Sequence, residues 1–143
     1  MDNKDLKVLN EIYKGSKMGM NAISYMEDKI NNDKFREEVK KQYEDYERVS
    51  KKAENLIENN NSKTEEVPAM NKVMGWTSVK MNTMMDDTTS HMSEMLIQGT
   101  VMGIIEGVKL ANNHSNITNQ TKEVLDEFVK IGEDNIQVLK TYL

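Results

Sequence analysis

The sequence predicts an all-α protein folded as an antiparallel four-helix bundle. The 143 residues include one proline and only 6% aromatic residues, whereas all-β domains are richer in aromatic residues and turn breakers. Four long segments place apolar residues at steps of three and four, the spacing of one helix face. A hairpin of two such segments occurs twice, and short turns between long helices make them pack antiparallel.

The first two segments form the first predicted hairpin. One runs from about 5 to 31 and the next from about 34 to 59, and we expect Asp33 in the turn between them to cap the second helix. The first apolar stripe consists of Leu6, Leu9, Ile12, Tyr13, Met20, Ile23, Met26 and Ile30. The second consists of Val39, Tyr43, Tyr46, Ser50, Ala53 and Ile57.

A polar connection, residues 59–67, separates the two hairpins and leads to Pro68, which suits the first turn of a helix. The third segment, about 70 to 112, keeps its spacing throughout, yet as one helix it would be about 65 Å long, against about 40 Å for its neighbours. Residues 86–90 (Asp-Asp-Thr-Thr-Ser) are typical N-cap residues. We therefore expect a break there, with an extra helical segment at 69–86. The fourth segment runs from about 118 to 142.

An internal repeat supports this arrangement. Residues 15–20 (Gly-Ser-Lys-Met-Gly-Met) match residues 99–104 (Gly-Thr-Val-Met-Gly-Ile) at an offset of 84, and the stripe of the second segment matches that of the fourth at an offset of 85. The sequence thus predicts one domain over residues 1–143. The repeats cover about 4–58 and 88–143, and the connection and extra helix cover 59–87.

Five glycines stand four residues apart in two rows. Each costs about 1 kcal/mol relative to alanine inside a helix, which is tolerable where it allows close packing. Two interpretations stay open: close packing between the first and third helices, or a dimer interface. The rows consist of Gly15 and Gly19 in the first segment and of Gly99, Gly103 and Gly107 in the third.

A second apolar stripe on the third segment favours an interface. It consists of Ile97, Val101, Ile104 and Val108 and lies roughly opposite the stripe that carries the methionines. A helix that is apolar all round is expected to be buried all round. We therefore expect this face to contact a second copy of the chain or another protein.

The repeated hairpin, together with residues 9–15 (Leu-Asn-Glu-Ile-Tyr-Lys-Gly) and 42–47 (Gln-Tyr-Glu-Asp-Tyr-Glu), resembles the ferritin-like superfamily. The likeness is to small bacterial members of uncharacterised function. The resemblance implies a bundle whose core holds two iron ions on four carboxylates and two histidines, including Glu-x-x-His motifs. The chain contains no Glu-x-x-His, and its two histidines, His91 and His114, lie outside the second and fourth segments. We therefore expect neither a di-iron site nor ferroxidase or oxygenase activity.

The weak metal-ligand candidates centre on Glu106, which falls on the inward stripe of the third segment. We expect this carboxylate to lie at the bundle edge or to bond a tyrosine such as Tyr43 or Tyr46, because an unpaired buried carboxylate is costly. The alternative is a remnant iron site, for which the other candidate ligands are Glu27, Glu47, Glu94 and His91.

Methionine is unusually frequent, with 12 residues. Because methionine is unbranched and fills irregular gaps, we expect most of these residues to lie in the core. A surface that grips a partner helix, or a Cu(I) site on thioethers, are the alternatives. Seven lie on or beside the third segment's stripe: Met70, Met74, Met81, Met84, Met85, Met92 and Met95.

Charge and composition narrow the function classes. The net charge of −5 argues against nucleic-acid binding, and the chain has no run of about 18 apolar residues that would insert in a membrane. The absence of cysteine excludes disulfides, and the start lacks a signal-peptide pattern, so we expect a cytoplasmic protein. The sequence predicts a non-enzymatic bundle without a cofactor, acting through a helix face on a partner or as a homodimer. A bundle that binds or stores iron or copper is the alternative.

Overall fold

The structure, a computed structural model, describes residues 1–67 and 87–143. These residues form four α-helices: α1 (Asn3–Met26), α2 (Asp33–Asn59), α3 (Thr89–Asn113) and α4 (Asn119–Leu139). Short 3₁₀ helices follow α1 (Glu27–Lys29) and α4 (Lys140–Tyr142). The described residues contain no strand, which confirms the all-α prediction and the four long helices. Pro68 and the extra helix predicted at 69–86 lie outside the described residues.

The residue before each helix has a short polar side chain that accepts a hydrogen bond from a backbone N–H of the first helical turn. Asp2, Thr88 and Thr118 cap α1, α3 and α4 in this way. The cap of α2 is Asn32, whose side chain accepts from the Phe35 N–H at 2.9 Å, so the prediction of Asp33 as the cap is wrong by one residue. Asp33 is instead the first helical residue, where its negative charge suits the positive end of the helix dipole.

The break predicted near residues 86–90 is confirmed. Thr88 has an extended backbone, with φ −64° and ψ 149°, and its hydroxyl accepts from the His91 N–H at 3.2 Å. Helix α3 therefore starts at Thr89, and α3 is close in length to α1 and α2.

The predicted stripes form most of the core. The largest side chains with almost no exposure come from all four helices and the turn after α1, and those on the predicted stripes include Leu9, Ile12, Ile30, Ile57 and Met92. Phe35, Leu96, Leu125 and Leu139 are as deeply buried but lie outside the predicted stripes. The stripe of α3 is the exception. Met92 and Met95 near its start are buried, but Glu106 near its end is exposed.

Helix α1 packs most extensively on α2, and α3 packs most extensively on α4. Polar contacts join the two pairs. Asp5 near the start of α1 accepts from both the N–H (2.8 Å) and the hydroxyl (2.9 Å) of Thr118, the residue that caps α4. Between α2 and α4, Glu127 pairs with Arg48 at 3.1 Å and with Lys52 at 2.8 Å.

The carboxylate of Asp5 serves two helices at once. It also accepts from the Asp2 N–H, which completes the capping box of α1. Burial alone would raise the pKa of Asp5, but the hydrogen bonds from Thr118, Thr121 and Asp2 together lower it to about 2. The ionised carboxylate is thus a strong link between the starts of α1 and α4.

The chain leaving α2 is fixed against α1. The buried side chain of Asn10 donates to the Leu6 carbonyl and accepts from the Glu65 N–H, both at 2.9 Å. The Lys14 ammonium lies 2.9 Å from the Glu65 carboxylate and 2.8 Å from that of Glu11. These contacts hold the polar connection beside the first half of α1.

Candidate interaction surface

Three of the large apolar side chains that are exposed in the described residues lie on α3. Val101 and Ile105 are each 39% exposed and Val108 is 42% exposed, while Ile97 is half-buried. The spacing places all four on one side of the helix. We call these four residues the outer face of α3.

The outer face differs from the predicted stripe at one position. Ile104 was expected to be part of it, but its side chain is half-buried over Gly132 of α4, where an added Cβ atom would meet Ile104 Cγ1 at 2.9 Å. The exposed residue is Ile105, which the stripe missed. The signal was present, since Ile105 lies four residues after Val101 and continues the same side of the helix.

Exposed apolar side chains are concentrated on the outer face of α3. Among the described residues, the other large apolar side chains with comparable exposure are Met1 and Leu143 at the two ends and Tyr25 at the end of α1. Scattered exposed apolar residues are ordinary, whereas a contiguous group on one helix is a candidate interaction surface.

Three of the four residues of the outer face (Ile97, Val101 and Ile105) lie in an uncharged stretch of α3. Between Glu94 and Glu106 there are 11 uncharged residues, in a chain of which 30% is charged. Two copies of such a surface can meet without bringing like charges together. Glu94 and Glu106, which border the stretch, are both exposed, and Val108 lies between Glu106 and Lys109.

The glycine rows face side chains of α2 and α4. A Cβ atom at Gly19 would lie 2.8 Å from the ring of Tyr46, and one at Gly15 would lie 3.0 Å from the ring of Phe128. Among the described residues, the atoms nearest to these two glycines of α1 therefore belong to α2 and α4 and not to α3. The glycines make room inside the bundle for aromatic rings, which is close packing of a different kind from the predicted contact between α1 and α3.

The three glycines of α3 differ from one another. At Gly107 a Cβ atom would lie 2.7 Å from Val129 Cγ2, so a larger residue would clash. At Gly103 the nearest described atom, Phe128 Cζ, would lie at 3.6 Å, an ordinary van der Waals distance. Gly99 is buried. Close packing on described side chains explains glycine at 107 but does not require it at 103.

A groove opens between α1 and α3 beside these glycines. Its volume is about 270 Å³, and the ring of Phe128 from α4 lies at its floor. Its walls are mainly apolar and include Met18 and Met102, which occupy equivalent positions of the predicted repeat. Lys7, Glu11 and Glu106 are the charged residues that line it.

Neutral polar side chains lie in the core near Gly19. Tyr46 of α2 is buried beside Thr100 of α3 and Asn135 of α4, and burial raises the pKa of Tyr46. Ser16 of α1 is also buried. Within the described residues, the Ser16 hydroxyl and the Asn135 amide nitrogen have no hydrogen-bond partner. Neutral hydroxyl and amide groups are a poor ligand set for iron.

The weak metal candidates lie apart. Glu106 is at the bundle edge, with its side chain 64% exposed and 3.8 Å from Lys109. Glu27 and Glu47 line a separate groove between α1 and α2, and His91 lies 3.9 Å from Glu94 near the start of α3. In residues 1–67 and 87–143, no three acidic or histidine side chains cluster as a metal site would require.

Four of the seven methionines within the described residues fit the expectation of core filling, whereas Met1 is exposed and Met18 and Met102 are half-buried. Met20, Met26, Met92 and Met95 are buried. Met70, Met74, Met81, Met84 and Met85 lie outside the described residues.

Comparison with known proteins adds no family: no protein-family model, curated protein or solved structure matches the chain. No α-helix within the described ranges is long and apolar enough to cross a membrane. The surfaces of the bundle are therefore the features from which a function can be inferred.

Proposed function

We propose that this chain is a non-enzymatic, cytoplasmic bundle of ferritin-like type that acts by self-association through the outer face of α3. The observation that carries the proposal is the exposure of Val101, Ile105 and Val108 on one side of one helix. Burying such side chains on a partner is favourable by about 25 cal/mol for each Å² of apolar surface removed from water.

A second copy of the chain is the partner we favour. Closed dimers use the same patch on both subunits, so the patch must be compatible with itself. The stretch between Glu94 and Glu106 supports this, because it carries Ile97, Val101 and Ile105 and no charge, so the centre of the contact brings no like charges together. In the dimer, α3 of one subunit packs on α3 of the other.

Two antiparallel hairpins, related as repeats, are part of the proposal. Ser93 near the start of α3 donates to the carbonyl of Leu139 at the end of α4, which supports an antiparallel α3–α4 pair. The few residues between Met26 and Asp33 support the same for α1 and α2. The shared burial of Ser16 and Thr100, 84 residues apart, supports the repeat.

The experiment is light scattering coupled to size-exclusion chromatography over a range of protein concentrations. The wild-type chain is expected to run as a dimer at high concentration. A Val101→Glu/Ile105→Glu variant is expected to be monomeric, because each association would bury four carboxylates without partners. Circular dichroism checks that the variant is folded.

Tyr25→Glu is the matched control. Tyr25 has the same exposed fraction as Val108, 42%, but lies at the end of α1. The control is expected to dimerise as the wild type does. A wild-type chain that is monomeric at every concentration, or a double variant that still dimerises, contradicts the proposal.

A further inference from the structure

The groove between α1 and α3 has the features of a small-molecule site. It is a concave space of about 270 Å³, close to the lower end of known ligand pockets, and its lining is mainly apolar. Ile12, Met18, Met102 and Leu110 form its walls around the ring of Phe128. It is separate from the outer face of α3, with which it shares no residue.

Gly103 gives a second, independent indication. Glycine in the middle of a helix lowers helix stability, and at this position no described side chain approaches closely enough to exclude alanine. A side chain at 103 would instead extend over Phe128 into the groove. Glycine at this position therefore keeps the groove open at the expense of helix stability.

The charged residues that line the groove differ in whether they form an ion pair. Glu11 pairs with Lys14 at 2.8 Å, and Glu106 lies 3.8 Å from Lys109. Lys7, on the first turns of α1, forms no ion pair within the described residues. Lys7 is thus the one charged residue of the lining that has no ion-pair partner among the described residues, and it lies one turn before Glu11 on α1.

We propose that this groove binds an aliphatic carboxylic acid. The acyl chain lies over Phe128 between Gly15 and Gly103, and the carboxylate pairs with the Lys7 ammonium. Along α1, Lys7 and Met18 are separated by about 16 Å at 1.5 Å per residue, which sets the length of chain the groove accepts. A medium-length fatty acid matches this combination of an anionic head and an apolar body.

The test is isothermal titration calorimetry of the full chain with decanoic acid, kept below the concentration at which it forms micelles. Binding of one molecule per chain is expected. Lys7→Glu is expected to weaken binding about tenfold or more, because it replaces a charge-assisted contact by repulsion. Lys34→Glu, the same charge change in the first turn of α2, is the matched control and is expected to leave binding unchanged.

Two variants at Gly103 test the space in the groove independently of the charge of Lys7. Gly103→Leu fills the space over Phe128 and is expected to abolish binding. Gly103→Ala is expected to weaken binding while raising the Tm. An opposite movement of binding and stability excludes simple unfolding as the cause.

Three outcomes overturn the inference. One is the absence of binding by the wild-type chain. Another is equal affinity for decanoic acid and decylamine, because the cationic head cannot pair with Lys7. The third is loss of binding in the Val101→Glu/Ile105→Glu variant, which would move the ligand to the outer face of α3. A monomeric wild-type chain would contradict self-association and leave the groove's binding intact, so the two proposals fail separately.

Discussion

Helices α1 and α3 carry the same glycine spacing and use it for different purposes. Gly19 and Gly103 are equivalent positions of the predicted repeat, 84 residues apart. At Gly19 the ring of Tyr46 occupies the place of a side chain, with ring atoms 2.8 Å from an added Cβ atom. At Gly103 the nearest described atom would be at 3.6 Å, and the space opens into a groove.

The difference shows that the spacing of glycines along a helix does not by itself reveal why glycine is needed there. In α1 the glycine is needed because α2 supplies a large ring at that level of the bundle. In α3 no described ring approaches Gly103 so closely, and the same helix also leaves Val101, Ile105 and Val108 exposed. Helix α1 is therefore shaped by packing within the chain, whereas α3 retains two surfaces that packing within the described chain does not use.

The largest expected effect concerns the link that fixes α1 to α4. Asp5→Ala removes the acceptor of the Thr118 N–H and hydroxyl and leaves the amide buried, so we expect a loss of about 2–3 kcal/mol in the free energy of unfolding. Urea unfolding of both proteins at neutral pH measures it. Thr118 would still cap α4, so the helix content of the variant should be unchanged.

The pH dependence gives a separate check of the same link. Because folding lowers the pKa of Asp5 to about 2, its contribution is fully present above the unfolded value of 3.8 and is lost as the pH falls towards 2. Thermal unfolding is measured from about pH 6, where this carboxylate is ionised in both states, down to about pH 2. The Tm of Asp5→Asn should fall less over this range than the Tm of the wild type. Equal declines would mean that Asp5 is not the linking carboxylate.

The glycine of α1 is expected to reject any side chain. Gly19→Ala places a methyl group within 2.8 Å of a fully buried ring, and the resulting overpacking should cost about 1–3 kcal/mol. Chemical unfolding measures the change. A neutral or stabilising effect would show that the Tyr46 ring moves freely and would remove the difference between the two helices.

The equivalent substitution in α3 is expected to have the opposite sign. Gly103→Ala adds a methyl group at an ordinary contact distance and restricts the unfolded chain, so it should stabilise the protein by about 0.5–1 kcal/mol. The same unfolding assay applies, with Gly107→Ala as the control that should destabilise through Val129. Destabilisation at 103 similar to that at 107 would show that α3 packs as tightly as α1 there.

The smallest expected effect lies at the α2–α4 contact. Arg48 is half-exposed and pairs with Asp45 and Glu127. Exposed ion pairs contribute little, so Arg48→Ala should cost less than about 1 kcal/mol, and the difference should shrink in high salt. A cost as large as that at Asp5 would mean that this pair, rather than the caps, holds the two hairpins together.

Much of the fold could be predicted because the core stripes of α1, α2 and α4 follow strict helical spacing. The break at Thr88 was also predictable, since a run of capping residues marks a helix start. The cap of α2 was misplaced because asparagine and aspartate are adjacent and both are good caps. The site was harder to predict. Ile104 rather than Ile105 is covered because it packs over Gly132 of α4. The sequence of α3 alone does not show which residue of α4 lies opposite.

The central claim is that the outer face of α3 is where two copies of the chain meet. The most direct measurement is photo-crosslinking with a benzophenone side chain placed at Val101 in one sample and at Tyr25 in a matched one, followed by mass spectrometry of the covalent dimer. The account predicts a dimer crosslinked from position 101 to α3 of the second copy, with little product from position 25. No crosslinked dimer from position 101, or equal yields from both positions, would contradict it.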